Sequence, residues 1–291
     1  MKSRQTFSLL YAVAALSVVP FAAIAQSAAQ GAPPPRTDVM APRPAAMSNL
    51  LTVEQQKALD AAGRATPAGG RFSQSAPRSA DDNLGFVSIF DGKTLSGWDG
   101  DPKFWRAEAG SIVGESAPDN PVTRNTFLIW RGGTLQDFEL KTDFRMSGTN
   151  SGIQFRSREL PQVGKWVLGG YQADMDASNT YTGGMAEERG RHNVMVQRGE
   201  MIRVTEDDHY KLLGVTADPD EIARSFVVNG WNTYHIIAKG NLMIQILNGR
   251  VSVIMIDEAE KIRATEGVLG LQMHTGAPFK IEFRNLLYRK L

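Results

Sequence analysis

Cysteine is absent from all 291 residues. That excludes disulfide staples, zinc sites of the CxxC or C2H2 kind and a lipid-modified cysteine, so stability must come from one sizeable core. Net charge is lacking too: 32 Lys and Arg against 31 Asp and Glu leave a formal +1. A chain so balanced gives no electrostatic reason to expect nucleic acid, whose binders usually carry a basic patch or stripe, so no such partner is expected. Helical periodicity is scarce, and no internal repeat of fixed period suggests a propeller. Past the N-terminus no apolar run is long enough to span a bilayer.

The N-terminus itself reads as a secretory signal over residues 1–25. Lys2 and Arg4 form its charged start, Leu9 to Ala23 its apolar run, and Ala23-Ile24-Ala25 a small-x-small cleavage site. The expectation is an exported protein, periplasmic or secreted, with no membrane span after cleavage. Residues 26–82 are rich in Ala, Pro, Gly, Ser and Gln and include Pro33-Pro34-Pro35. Too few large apolar side chains stand there to offset the entropy of ordering, so this is a linker. Within it, Thr52 with Glu54 and Gln55 predicts a short helix near 51–62.

From residue 83 to 291 the texture changes. Phe86 to Phe90, Phe138 to Met146, Ile153 to Arg156 and Lys280 to Tyr288 alternate with period two. Leu242 to Leu247 and Val251 to Ile256 flank Asn248-Gly249, the strongest short-range hairpin signal, because both turn residues must tolerate positive φ. Only Pro219 to Ser225 suggests a turn or two of helix. Short strands with turn residues between them predict an all-β, two-sheet jelly-roll sandwich in one domain, with a closed barrel as the alternative.

The polar groups concentrate between Asn150 and Arg191. Gln172, Asp174 and Asp176 at i, i+2 and i+4 share one face of a strand. Such a line is either a sugar-sized cleft or simply the wet face of an antiparallel strand. Glu187, Glu188, Arg189 and Arg191 follow the Gly183-Gly184 turn. Glu187 is either a base or an ion pair with Arg189 or Arg191. Arg156 offers a fixed fork of donors to a sugar or enolate oxygen, or pairs with one of these carboxylates. His274, after the apolar run Leu269 to Met273, is either a proton-transfer group or a satisfied core histidine. Trp231 either stacks on a sugar or plugs the core, while Trp98 and Trp105 belong to packing.

Five short stretches together resemble one family. They are Phe90-Asp91-Gly92-Lys93-Thr94-Leu95-Ser96-Gly97-Trp98; Asn150-Ser151-Gly152-Ile153 with Phe155-Arg156; Gly170-Tyr171-Gln172-Ala173-Asp174 with Tyr181-Thr182-Gly183; Trp231-Asn232; and Leu271-Gln272-Met273-His274 with Phe283-Arg284-Asn285. In that order they resemble the 3-keto-disaccharide hydrolases, also described as 3-keto-glucoside 1,2-lyases and 3-keto-2-hydroxy-glucal hydratases. The resemblance runs over roughly residues 85–291 and implies a concanavalin A-like, laminarinase-like jelly roll. It implies a small-molecule sugar substrate, a glycoside oxidised to a ketone at C3. Its glycosidic bond breaks by elimination, and water then adds to the product.

The resemblance further implies a catalytic set of His274, Asp174, Glu187 and Arg156. Asn150, Ser151, Tyr171, Gln172, Asp176, Tyr181, Arg189 and Trp231 would bind the substrate. One His with carboxylates suggests a possible divalent metal, although no HxH or HExxH spacing supports it. Two departures stand out: Gln172 replaces a glutamate that many members carry, and Ala186 stands where one subgroup has tyrosine before its Glu-Glu pair. The alternatives are a non-catalytic carbohydrate-binding module on the same scaffold, or a laminarinase-type glycosidase. The second lacks the final Glu of an ExDxxE strand after Asp174 and Asp176.

Overall fold

The computed structural model describes residues 83–291. The signal over 1–25, the linker over 26–82 and its helix near 51–62 lie outside the described residues. The rest is a two-sheet jelly-roll sandwich of sixteen strands, β1 to β16, with one short helix, α1 (Pro219–Ser225). Alternation builds it. In β6 (Phe138–Ser147), Phe138, Leu140, Phe144 and Met146 are buried while Glu139, Lys141, Asp143 and Arg145 are partly open, so one face packs and the other meets water.

The larger sheet runs β11 (Tyr210–Val215), β10 (Glu200–Val204), β14 (Arg250–Asp257), β13 (Leu242–Leu247), β12 (Asn232–Lys239), β6, β16 (Lys280–Lys290), β4 (Ser111–Glu115) and β3 (Trp105–Glu108). A two-residue β1 (Val87–Ser88) pairs with β16. The smaller sheet runs β2 (Trp98–Asp99), β5 (Thr126–Leu135), β15 (Gly267–Met273), β7 (Asn150–Glu159), β8 (Leu168–Asp176) and β9 (Met185–Glu188). Pairing is antiparallel throughout except between β10 and β14. Leu140, Phe144, Tyr234, Met255 and Phe283 of the large sheet meet Ile153, Phe155, Tyr171, Met175 and Leu271 of the small one in a single buried core. Trp98 and Trp105 join it, as their role in packing requires.

The Asn248-Gly249 hairpin forms as its sequence predicts, with φ of 49° and 76° and with Leu247 opposite Arg250. No atom would obstruct a Cβ at Gly249, so Gly249→Ala isolates the backbone cost of positive φ. The expected loss is about 1 kcal/mol, read as a shift in denaturation midpoint. Among the described residues, no helix is long and apolar enough to cross a membrane.

Candidate active site on the small sheet

The outer face of the small sheet, turned away from the shared core, carries the candidate site. Its floor is a cross-strand row in which Gly270, Gln154, Gln172 and Ala186 stand opposite one another on β15, β7, β8 and β9. Gln154 Nε2 donates to Gln172 Oε1 at 3.3 Å, and Gln172 Nε2 donates to Asp174 Oδ1 at 2.7 Å. Gly152, opposite Asp174, makes this relay possible. A Cβ there would lie 2.4 Å from the Gln172 amide carbon, so only glycine lets that side chain lie flat over β7.

The face is hollow. Glu188 sits on the edge strand β9, with two strands between it and β15, a backbone separation of roughly 14 Å. Its carboxylate nevertheless accepts from Gln272 Nε2 of β15 at 3.3 Å and from Asn125 Nδ2, just before β5, at 3.1 Å. Two side chains bridge that span because the sheet curls and brings its margins together. The resulting cavity, of about 480 Å³, is lined by Asn125, Asn150, Gln172, Asp174, Tyr181, Ala186, Glu188, Arg189, Asn193, Val194 and His274. The late-strand histidine and the mid-chain acids therefore do share one hollow.

Each ionisable group there has a defined setting. Burial, with Glu188 and Asp176 adding like charge, pushes the Asp174 carboxyl up to about 7, against the opposing pull of the Gln172 amide. The phenolic hydroxyl of Tyr234 donates to the Asp174 carbonyl at 2.5 Å, fixing the backbone beneath it. Glu188 keeps its two amide donors and has Arg189 Nε at 3.7 Å. Tyr181 accepts from Asn150 Nδ2 at 2.6 Å, which leaves its own hydrogen free to donate. Burial raises its pKa, so it stays protonated at neutral pH. His274 Nδ1 lies 2.5 Å from the Thr275 carbonyl. A carbonyl only accepts, so the hydrogen is on Nδ1 and Nε2 carries the lone pair. Three buried amide oxygens, those of Asn150, Gln154 and Gln272, have no partner. Buried polar atoms without partners are uncommon and mark positions for a ligand hydroxyl or water.

Several expectations are corrected by strand parity. Glu187 points the opposite way from Ala186 and Glu188, into the sandwich. There it accepts from Arg191 Nε at 2.8 Å while Arg191 Nη2 pairs with Asp257 at 2.6 Å. The ion pair with Arg191 is its role, and Glu188 is the pocket acid. Tyr171 likewise faces inward and donates to Asp257 Oδ2 at 2.6 Å. Ser151 is buried and donates to the Gln272 carbonyl at 2.8 Å. Arg156 would reach the pocket by simple alternation, but its φ is 47° and the ladder slips between Phe155 and Arg158. That bulge turns the guanidinium into the interior, where it donates to Gln136 O, Gly240 O and Asp137 Oδ1.

Asp176 shares the strand face of Asp174, yet its carboxylate is taken up by its own loop. It accepts from the backbone N–H of Thr180, Tyr181 and Thr182 and from the hydroxyl of Ser178. Those bonds hold its pKa below the ordinary value despite burial. It shapes the turn that presents Tyr181. Trp231 lies among the outward side chains of the large sheet, stacked by Arg284 at 3.9 Å and Arg145 at 4.8 Å. Asn150, Gln172, Asp174, Tyr181, Arg189 and His274 are thus brought together. Asn125 carries no signal in the sequence, and Glu188, which stands in the polar cluster there, takes the place in the hollow expected of Glu187. Among the described residues, no group of three His, Asp or Glu side chains is placed to hold a metal ion.

With this geometry in hand, the comparison with known proteins is direct. The family model of the 3-keto-alpha-glucoside-1,2-lyase-like domain matches residues 85–289. The chain belongs to this family. A carbohydrate-related function goes with that membership. No curated protein matches the sequence. Among solved structures, a candidate glycosyl hydrolase from Parabacteroides distasonis is similar at 18% identity, covering 74% of this chain and 98% of its own, with a TM-score of 0.47. The carbohydrate-binding module CBM66 from Bacillus subtilis is similar at 17% identity, covering 67% and 96%, with a TM-score of 0.44. A Bacillus licheniformis β-glucanase is similar at 10% identity, covering 71% and 99%, with a TM-score of 0.41.

Proposed function

We propose that this family member is an exported enzyme that cleaves 3-keto-glucosides by elimination and then hydration. The observation that carries the reading is one hollow that brings together Asp174, its carboxyl raised to about 7, Glu188 with Arg189 beside it, and His274 with Nδ1 turned to the Thr275 carbonyl. A C3 ketone acidifies the proton on C2. His274 Nε2 takes that proton, and Tyr181 donates its hydroxyl hydrogen to the enolate oxygen that develops at C3. Collapse of the enolate forms the C1=C2 bond and breaks the bond from C1 to the leaving oxygen. Asp174, about half in its acid form at neutrality, gives that oxygen its proton. Glu188 then orients water, whose hydroxyl adds at C1 while C2 regains a proton, giving 3-keto-glucose. The unpartnered oxygens of Asn150, Gln154 and Gln272 accept from sugar hydroxyls.

Incubation of the purified protein with a 3-keto-glucoside should release the aglycone, with 2-hydroxy-3-keto-glucal as an intermediate. Absence of both products, with and without added divalent metal, would overturn the reading. Sugar binding that survives both Asp174→Asn and His274→Ala, without turnover, would make this a binding module instead. The leader-like residues 1–25 support action outside the cytoplasm, and fractionation of cells expressing the full chain tests it.

A further inference from the structure

A second hollow of about 560 Å³ adjoins the first, and Asp174, Tyr181 and Val194 line both. Its character differs. Where the first is floored by amides, the second is the more apolar, with Val194, Val196, Leu212 and Val215 in its lining beside Thr180, Gln197, Arg198 and Glu200. Three of these are open to solvent, Val194 at 58%, Leu212 at 60% and Val215 at 72% exposure. Leu212 and Val215 are three residues apart on β11, so regular alternation would set them on opposite faces. The ladder between β10 and β11 slips at Leu213, with Ile202 opposite Leu212 and Met201 opposite Gly214. That bulge turns both side chains toward the same hollow. Aliphatic groups left exposed beside a polar cavity are the usual wall of a ligand site.

Resting on the elimination reading, we propose that this second hollow is the leaving-group subsite and that it selects an apolar aglycone, an aromatic or fused-ring alcohol, over a second sugar. Asp174 stands on the boundary. A glycosidic oxygen placed there to receive its proton has the keto-sugar on the amide side and its other substituent against the aliphatic wall. A second sugar would set part of its hydroxyl-bearing surface against Val194, Val196, Leu212 and Val215, which offer nothing in return, with only Thr180, Gln197, Arg198 and Glu200 as further polar neighbours. Losing those hydrogen bonds to water without replacement disfavours it. A planar hydrocarbon loses nothing of the kind and buries surface.

The test compares methyl, glucosyl and 2-naphthyl 3-keto-glucosides on the full chain, alongside equilibrium binding of 2-naphthol followed by its fluorescence. The naphthyl substrate should have the highest kcat/KM, through a lower KM. Leu212→Asp and Val215→Asp, both on exposed positions, should lower the naphthyl-to-methyl ratio of kcat/KM by about tenfold or more. Both should weaken 2-naphthol binding by a similar factor. The inference is overturned if the glucosyl substrate is preferred, or if 2-naphthol binds neither tightly nor in a way that Leu212→Asp weakens. Failure of all three substrates to turn over sinks the elimination reading. The naphthol titration still answers for the subsite: weakening by both variants supports an apolar site there, and its absence removes it.

Discussion

Asp174→Asn should lower kcat on a 3-keto-glucoside by roughly 10²–10⁴, because the leaving oxygen loses its proton donor while the Gln172 contact is kept. The pH profile identifies the cause. In the parent the acid form is required, so kcat falls as pH rises past about 7. The variant, having nothing to titrate there, should lose that limb. Stability moves the other way. The folded pKa of Asp174 lies above its ordinary 3.8, so between about pH 4 and pH 7 the folded chain keeps a proton that the unfolded chain sheds. Stability is therefore lost as pH climbs through that window, and above it a charged carboxylate is held in a desolvated place. Asn removes that cost. Parent and variant should unfold alike at pH 4, while at pH 8 the variant gains roughly 2–4 kcal/mol. Calorimetry at the two values decides it: an equal Tm at pH 8 would mean that the group titrates normally and is no store of acid.

The adjacent glutamates give the second large contrast. Glu187→Gln removes one anion from a buried cluster in which Glu187 and Arg191 are 6% and 10% exposed and Asp257 fully enclosed. Arg191 keeps Asp257 and the more distant Asp208, at 3.5 Å, as anionic partners, and the expected loss is about 3 kcal/mol of stability with kcat little changed. Glu188→Gln should do the reverse. Its amide neighbours Asn125 and Gln272 can rotate to meet a carboxamide, so Tm stays close to the parent's. Turnover falls by roughly 10²-fold with the loss of the group that orients water. Urea denaturation and steady-state kinetics on both variants make the comparison. If Glu187→Gln were the dead enzyme and Glu188→Gln the unstable one, the parity assignment of β9 would be wrong.

That contrast also shows what a sequence can convey. The hairpin at Asn248-Gly249, the alternation of Phe138 to Met146, the closing strand from Lys280 and the turn of helix at Pro219 to Ser225 are local signals, and each forms where it was read. The shared face of Gln172 and Asp174 is local too. Whether Glu187 or its neighbour faces the pocket is not, because it depends on which residue of β9 stands opposite Gln172. Arg156 was misplaced for a related reason: a bulge leaves no reliable mark in a run such as Ile153-Gln154-Phe155-Arg156. Asn125 could not be seen at all. It lies in no periodic run, and only the curl of the sheet carries Glu188 to it. Trp231 was read from its size, which does not distinguish a sugar platform from a stacking partner for Arg284.

The last strand sits in the middle of the large sheet, with β6 on one side and β4 on the other. During synthesis β6 has β12 beside it and β4 has β3, but each keeps one unpaired edge until the eleven residues of β16 are made. Until then both display open ladders of N–H and C=O groups. Stop codons upstream of Lys280 should yield insoluble fragments rather than shortened domains.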